Sequence, residues 1–157
     1  MLQSILLRPA NTNEVETITT LFRSTIETVN SKDYLPQQIN AWASGADDKR
    51  RWLQMIEEQF FYVAELNNQI TGFASVTKDG YIDVLYVHKN FQGKGIASQL
   101  LKKLEQKAFE LDLPKIYTDS SITAKPFFLS KGFAIEKEYI KAYGGVEFRN
   151  TIMYKFL

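Results

Sequence analysis

Hydrophobic and polar positions along this chain follow two different periods, and the period changes several times between its ends. Spacings of three and four residues after Asn11 predict an amphipathic helix, and a second helix with an apolar stripe at every fourth residue follows Gly95. Asn11 and Glu14 also have the spacing of a capping box. The apolar positions are Val15, Ile18, Phe22, Ile26 and Val29 in the first helix and Ile96, Leu100, Leu104 and Ala108 in the second.

Short apolar runs, several of them joined by tight turns, predict strands. The turns Asn67-Asn68 and Asp79-Gly80 are too short to join parallel strands, so the strands on either side of each are antiparallel neighbours. The strand after the second long helix is expected to run parallel to the strand before that helix. The predicted strands are 4–8, 60–66, 69–77, 81–87, 115–118, 134–142 and 146–156.

The segment between the first helix and the first hairpin is the least regular part of the sequence. Pro36 can open a short helix that closes near Gly45, and Asp47 or Asp48 can cap another that continues through Ile56. Later in the chain, Thr123 is expected to cap one more short helix, which Gly132 ends. Together these patterns predict an α/β protein of the α+β type, with a mixed, mostly antiparallel sheet of six or seven strands and helices on both faces.

Composition narrows the class of protein further. The 157 residues suit a single domain spanning 1–157, and a net charge of +1 gives no reason to expect nucleic acid or a membrane surface as partner. The chain has no cysteine and one histidine, so thiolate chemistry and a multi-histidine metal site are not expected. Neither a signal peptide nor a membrane-spanning run is evident, and we expect a cytoplasmic protein.

The segment between the strand 81–87 and the second long helix has the features of a phosphate-binding loop. Gly93 and Gly95 leave backbone N–H groups uncovered, and the helix N-terminus adds partial positive charge. The first carboxylate after Gly93 is Glu105, so the anion that usually offsets a helix dipole is missing. The P-loop pattern does not fit this segment, and G-x-G-x-x-G fits only in part because Ser98 occupies its last position.

A third pattern, Q-x-x-G-x-[GA], fits at its fixed positions, with Gln92, Gly95 and Ala97 after a strand that ends L-Y-V. Here the chain resembles the GNAT superfamily of acyl-CoA-dependent N-acyltransferases. The antiparallel order of the preceding strands agrees with that family and opposes a dinucleotide-binding fold. The resemblance implies a sheet whose parallel fourth and fifth strands splay apart, with acetyl-CoA as cofactor. The implied cofactor-binding residues are Leu85, Tyr86, Val87, Gln92, Gly93, Lys94, Gly95, Ile96, Ala97, Ser98, Ser121, Phe127 and Phe128.

The stretch 121–133 is similar to a second signature of the family, N-x-x-A-x-x-F-Y-x-x-x-G-F, with Ala124, Phe127 and Gly132 at matching positions. Two positions differ. Ser121 replaces the usual Asn, and Phe128 replaces a Tyr that in many members protonates the departing thiolate. Phenylalanine cannot donate a proton, so that role is expected to fall to another group or to water.

The resemblance implies transfer of an acetyl group to a primary amine, and the residues suggest candidates for each role. Asp83, on the central strand, is the first candidate for the base that deprotonates the amine, and His88 is a second. Tyr143, Tyr139 and Tyr117 are candidates for the proton donor. The Val87 N–H is expected to stabilise negative charge on the carbonyl oxygen. Tyr34, Trp42 and Tyr117 are expected to line the acceptor site.

Alternatives from other classes remain open at this point. The chain can be read as a non-catalytic acyl-CoA-binding sensor, which the phenylalanine at 128 favours, or as a nucleotide-binding protein. The acceptor is open between a small-molecule amine, a peptide N-terminus and a protein lysine. We expect a monomer or a homodimer.

Overall fold

The structure is a computed structural model, and it describes residues 4–157. Seven strands form one sheet in the order β1-β2-β3-β4-β5-β7-β6. All neighbouring strands are antiparallel except β4 and β5, which are parallel. The strands are β1 (Leu6–Pro9), β2 (Phe60–Leu66), β3 (Gln69–Val76), β4 (Tyr81–Val87), β5 (Lys115–Ser120), β6 (Ala134–Tyr143) and β7 (Val146–Phe156).

Five α-helices cover the sheet on both faces, as the sequence predicted. They are α1 (Val15–Thr28), α2 (Pro36–Ala43), α3 (Lys49–Glu58), α4 (Ile96–Glu110) and α5 (Lys125–Ser130). Helices α1 to α3 bury one core cluster, which includes Ile18, Ile26 and Phe73. Helix α4 buries a second on the other face, with Leu100 and Leu104 fully enclosed. In the described part of the chain, no helix is long and apolar enough to cross a membrane.

Local chemistry accounts for most of the element boundaries. Asp48 caps α3 by accepting a hydrogen bond from the Arg51 backbone N–H at 3.3 Å. Asn67 and Asn68 both have positive φ values, 53° and 63°, which suits the two-residue turn between β2 and β3. Gly132, with φ +89°, follows the end of α5.

Three boundary predictions were wrong. Strand β5, predicted to end at residue 118, continues to Ser120. The first strand begins at Leu6 and includes Pro9, which a strand at the edge of the sheet tolerates because its missing N–H faces no partner strand. Thr123 does not cap α5. Its hydroxyl instead donates to the Asp33 carboxylate at 2.7 Å, and the Ser121 hydroxyl accepts the Ala124 N–H at 3.1 Å.

Candidate active site

The loop 92–97 has the open main chain that phosphate binding requires. Gly93 and Gly95 adopt left-handed conformations, with φ of 72° and 80°, and no atom lies within 4 Å of where a Cβ would stand on either. The first turn of α4, which begins at Ile96, carries no acidic residue. The Gln92 side-chain amide donates to the Val87 carbonyl oxygen at 2.7 Å, which fixes the loop against the end of β4. The loop therefore presents free amides at a helix N-terminus.

A gap opens beside this loop because β4 and β5 stay together for only two residues. Tyr81 pairs with Tyr117 and Ile82 with Thr118, and in the described residues β5 makes no further pair with β4. On its other side β4 continues to pair with β3 as far as Val87. The His88 N–H donates to Thr71 of β3 at 2.8 Å, so by alternation the N–H groups of Leu85 and Val87 point into the gap. This confirms the predicted splayed parallel pair.

One cavity of about 390 Å³ joins the loop to the gap and continues beneath the helices of the opposite face. It begins at Gln92 and Ala97, passes between β4 and the start of α5, and ends beside the β6–β7 hairpin at Tyr143. A volume of this size is typical of small-molecule sites. Predicted site residues that line it are Tyr34, Trp42, Asp83, Leu85, Tyr86, Val87, Gln92, Ala97, Ser121, Phe127, Phe128 and Tyr143.

Asp83 stands in the cavity at a local irregularity of β4. The β3–β4 register shifts between Ser75 and Val76, and Asp83 is the extra residue on β4. The Gln59 side-chain amide donates to Asp83 Oδ2 at 2.8 Å, and the Ser75 hydroxyl in turn donates to Gln59 Oε1 at 2.7 Å. The Arg51 guanidinium lies 4.0 Å from the other carboxylate oxygen. These contacts fix the orientation of the carboxylate and leave it facing the cavity.

Asp119 is a second cavity carboxylate, which the sequence analysis missed. It lies on β5 just beyond the last residue that pairs with β4, and its side chain is 10% exposed. Asn150 donates to it at 3.0 Å, the Tyr139 hydroxyl donates at 2.5 Å, and the Lys141 ammonium lies 3.4 Å away. A polar residue at the carboxyl end of the strand that follows the glycine loop was the signal available in the sequence.

Two tyrosines of β4 have raised pKa values; Tyr81 lies near both carboxylates and Tyr86 near Asp83. Burial, followed by the charges of Asp83 and Asp119, holds the pKa of Tyr81 well above its usual range. Burial has the same effect on the pKa of Tyr86, which Trp42 opposes by hydrogen bonding. Both phenols therefore remain neutral across the physiological range.

Aromatic rings form one wall of the cavity, with Tyr34 and Trp42 from the helical side and Phe148 from β7. The ring centroids of Tyr34 and Trp42 are 5.2 Å apart, and that of Phe148 is 5.9 Å from Tyr34 and 6.2 Å from Trp42. The Tyr34 oxygen accepts the Ile122 backbone N–H at 2.7 Å, which joins this wall to the segment between β5 and α5. Tyr34 and Trp42 both line this cavity, and their predicted role in binding the acceptor stays a prediction.

Three of the candidates for catalysis or acceptor binding do not line the cavity that the described residues form. His88 Nδ1 accepts the Asn90 N–H at 3.0 Å, and the ring borders a shallow depression beside α1. Burial and then Lys89 lower the pKa of His88. Tyr117 points to the other end of β5, where its hydroxyl donates to Asp79 at 2.8 Å. Tyr139 reaches the site only through Asp119, and burial together with that carboxylate raises its pKa to about 12.

The remaining predicted cofactor-binding residues, at α5 and at the start of α4, include both buried and exposed positions. Phe128 is 3% exposed and packs edge-on against Phe127 and Phe133, with one side reaching the cavity. Ile96 is also buried, so only its backbone can serve a ligand, whereas Lys94 and Ser98 are more open. The site therefore combines an anion-binding loop, an unpaired strand edge and a polar pocket containing two carboxylates.

This combination defines a class of protein. The family model for the acetyltransferase (GNAT) domain matches residues 30–150, and the chain belongs to this family of N-acetyltransferases. Among individual relatives, it is 34% identical over 152 residues to the uncharacterized N-acetyltransferase YafP of Escherichia coli K12, covering 97% of this chain and 96% of that one. Both the predicted family and the predicted fold are confirmed.

Two solved structures illustrate the likeness. A GCN5-related N-acetyltransferase from Rhodopseudomonas palustris, whose description also reads "Aminotransferase, Class-II", superposes with a TM-score of 0.95 at 30% identity over 100% of this chain and 99% of that one. The PaiA N-acetyltransferase of Thermoplasma acidophilum, solved with coenzyme A, gives a TM-score of 0.81 at 19% identity over 98% and 99%. At 19% identity, the likeness to the Thermoplasma acidophilum protein shows a shared fold and nothing more.

Proposed function

We propose that this protein transfers an acetyl group from acetyl-CoA to a primary amine of a small molecule, directly, with both substrates bound together. The observation that carries the proposal is one cavity that starts at Gln92 and Ala97, the two ends of the open loop 92–97, and continues along the unpaired edge of β4 to Asp83. A direct transfer also suits a chain without cysteine. Acetyl-CoA supplies an activated thioester. Residues of the chain have to bind it, deprotonate the amine and supply a proton to the departing thiolate.

The residues present fit the diphosphate and the arm of coenzyme A. The backbone N–H groups of 92–97 can surround the diphosphate, with the Ser98 hydroxyl beside them and the Lys94 charge nearby. The N–H groups of Leu85 and Val87 have no strand partner and can pair with the amides of the pantetheine arm as a neighbouring strand would. Ser121, Phe127 and Phe128 form the opposite side of the gap. One of the two free N–H groups of β4 then stabilises negative charge on the carbonyl oxygen.

The acceptor amine has to lose a proton before it can attack. A free alkylammonium group has a pKa of about 10.4, so it is almost wholly protonated at neutral pH. Asp83 faces the cavity with one carboxylate oxygen held by Gln59, and it can take this proton directly or through a water molecule. Asp119 places a second carboxylate at the point where the strands part, next to the Lys141 ammonium at 3.4 Å, and it offers the acceptor amine a further hydrogen-bond acceptor.

A small acceptor is favoured over a protein by the shape of the site. The rings of Tyr34 and Trp42 cover the cavity from the helical side and pack against Phe148 of β7, and the Tyr34–Ile122 hydrogen bond connects them to the segment between β5 and α5. An extended peptide needs an open channel, whereas a compact amine fits the part of the cavity of about 390 Å³ that the cofactor arm leaves free.

One observation favours a second candidate function. Phe128 occupies the family's proton-donor position and is 3% exposed, so neither its chemistry nor its surroundings supply a proton there. A protein that binds acyl-CoA without turning it over would show this feature. The sensor reading therefore stands as the alternative.

Two measurements separate these functions. Calorimetry with acetyl-CoA, coenzyme A and a dinucleotide tests the ligand, and we expect binding of the first two only. Thiol release from acetyl-CoA across a panel of amines, including diamines, amino sugars, amino acids and a peptide, then tests catalysis. Tight acetyl-CoA binding without thiol release above the amine-free rate would support the sensor and overturn the proposed transferase.

A further inference from the structure

The proton donor for the departing thiolate has to come from elsewhere in the cavity, because Phe128 has none to give. Four tyrosines line the cavity: Tyr34, Tyr81, Tyr86 and Tyr143. Tyr81 lies beside Asp83 and Asp119, at the end where the two strands are still paired. Tyr86 packs among Phe22, Phe73 and Trp42. Tyr143 is 39% exposed beside the hairpin turn. Because of these surroundings, Tyr34 is the candidate for the proton donor.

Tyr34 is held at both its ring and its oxygen. Trp42 and Phe148 pack against the ring at centroid distances of 5.2 and 5.9 Å. The oxygen accepts the Ile122 N–H at 2.7 Å and is also within hydrogen-bonding reach of the Ser121 hydroxyl, which itself accepts the Ala124 N–H at 3.1 Å. The neighbouring Asp33 carboxylate is occupied by the Thr123 hydroxyl at 2.7 Å. The phenol is therefore fixed in place, with its proton free to be donated into the cavity.

The strand register places this hydroxyl on the far side of the gap from the free amides of β4. Ile82 is level with Thr118, and the two strands run in the same direction. Counting forward from that pair, Ser121 and Ile122 stand opposite Leu85 and its neighbours, across the space where the strands have separated. A thioester held against the Leu85 and Val87 amides would therefore have the Tyr34 hydroxyl on its other side.

We propose that Tyr34 is the general acid of the acetyl transfer, in place of the tyrosine that Phe128 replaces; this rests on the proposed function. Asp83 first passes the ammonium proton on to solvent. The neutral amine nitrogen then forms a bond to the thioester carbonyl carbon, whose π electron pair moves onto oxygen and returns as sulfur leaves, and the regenerated Asp83 carboxylate takes the extra proton on nitrogen. The carbon–sulfur bond breaks with its electron pair on sulfur, and the Tyr34 proton passes to that sulfur. The Ile122 N–H stabilises the phenolate that remains, and solvent returns a proton to it. The products are the acetamide and the free thiol of coenzyme A.

The protonation state of Tyr34 suits this role. Burial is the main cause that raises its pKa, the Ile122 N–H and the Ser121 hydroxyl oppose it, and the nearby Asp33 charge adds to the rise. The phenol is therefore protonated throughout the physiological range. A free thiol with a pKa of about 8.5 is also the stable form of the product at neutral pH.

The first test uses coenzyme A alone and needs no acceptor. The thiolate absorbance of the bound cofactor is titrated in the wild type, Tyr34→Phe and the control Tyr154→Phe, whose residue does not line the cavity. A hydroxyl that donates to sulfur stabilises the thiolate, so Tyr34→Phe should raise the pKa of the bound thiol by about 1, with the affinity for coenzyme A little changed. Identical titration curves in wild type and Tyr34→Phe would overturn the proposal.

The second test is kinetic and includes a rescue. With an amine that supports turnover, Tyr34→Phe should lower kcat by about 100-fold with the KM for acetyl-CoA unchanged, and Tyr154→Phe should match wild type. Adding Phe128→Tyr to Tyr34→Phe restores the family's donor and should recover much of the lost kcat. A structural defect would instead lower the melting temperature and show no rescue, which would count against the proposal.

The two tests also separate this inference from the proposed function. A shifted thiol pKa in Tyr34→Phe, with no turnover of any amine by the wild type, would support the contact between the hydroxyl and sulfur and would refute the proposed transferase activity. Turnover in the wild type, with kcat unaffected by Tyr34→Phe, would support the transferase activity and would refute the role of Tyr34 as the general acid.

Discussion

Replacing Gly95 by aspartate separates the phosphate-binding role of the loop from its contribution to folding. Gly95 has φ +80° and Gly145, in the β6–β7 turn, has φ +79°, and neither has an atom within 4 Å of the position of a Cβ. Gly145→Asp is therefore a matched control, with the same backbone strain and the same added charge. In both variants the cost to the fold is the left-handed conformation of a non-glycine residue, about 1–2 kcal/mol. The melting temperature should fall by roughly 2–8 °C in each.

Only Gly95→Asp brings a carboxylate to the diphosphate. Two unit charges about 4 Å apart repel by about 4 kcal/mol at an effective dielectric constant of about 20. Salt and relaxation of the loop reduce this repulsion, so we expect the Kd for coenzyme A to rise by about 100-fold. Isothermal titration calorimetry at two salt concentrations measures the effect, and the loss should be smaller at high salt.

Two results would refute this reasoning. Wild-type affinity in Gly95→Asp would mean that the diphosphate does not sit on the loop amides. An equal loss of affinity in Gly145→Asp would mean that strain or net charge, rather than a local repulsion, weakens binding. Near-ultraviolet circular dichroism of both variants verifies that each retains the native packing.

Three further predictions concern charged groups. Asp83→Asn should lower kcat by about 100-fold or more while calorimetry shows acetyl-CoA binding unchanged; a normal kcat would remove Asp83 as the base. Asp119→Asn should lower the pKa of Tyr139 from about 12 toward its usual value, in ultraviolet titration, although burial will keep part of the rise. The Arg8 guanidinium lowers the pKa of Glu14, so this pair stabilises the fold above the ordinary carboxyl pKa and the contribution is lost as pH falls through the lowered value. Arg8→Met should cost about 1–3 kcal/mol at pH 7 in urea unfolding, and a difference that persisted at pH 2 would contradict the assignment.

The sequence predicted the sheet and the anion-binding loop well because both are encoded locally. Apolar periodicity, the paired asparagines at 67 and 68 and the glycines at 93 and 95 each set the backbone within a few residues. The direction of single side chains was harder to predict. His88 and Tyr117 are close in sequence to site residues, yet their side chains point away from the cavity. The register shift that leaves Asp83 as an extra residue on β4 is not visible in the sequence alone.

Contacts between distant segments were the other part that the sequence could not show. Asp119 belongs to the site because Asn150, Tyr139 and Lys141 of the last hairpin converge on it. Thr123 does not cap α5, because its hydroxyl is bonded to Asp33, which is distant in sequence, and the Ser121 hydroxyl accepts the Ala124 N–H just before the helix. Such contacts depend on how the layers pack and have no signature in nearby residues.

The short pairing of β4 with β5 also affects the mechanics of the molecule. The sheet consists of a four-stranded plate and a three-stranded plate, which share two residue pairs and are otherwise joined through α4 and the packed side chains. The pantetheine arm of the cofactor, hydrogen-bonded along the free edge of β4, would connect the two plates where β4 and β5 do not pair. Occupancy of the gap should therefore stiffen the whole sheet, and the amides of Leu85 and Val87 should exchange with solvent deuterium far more slowly once the ligand is in place.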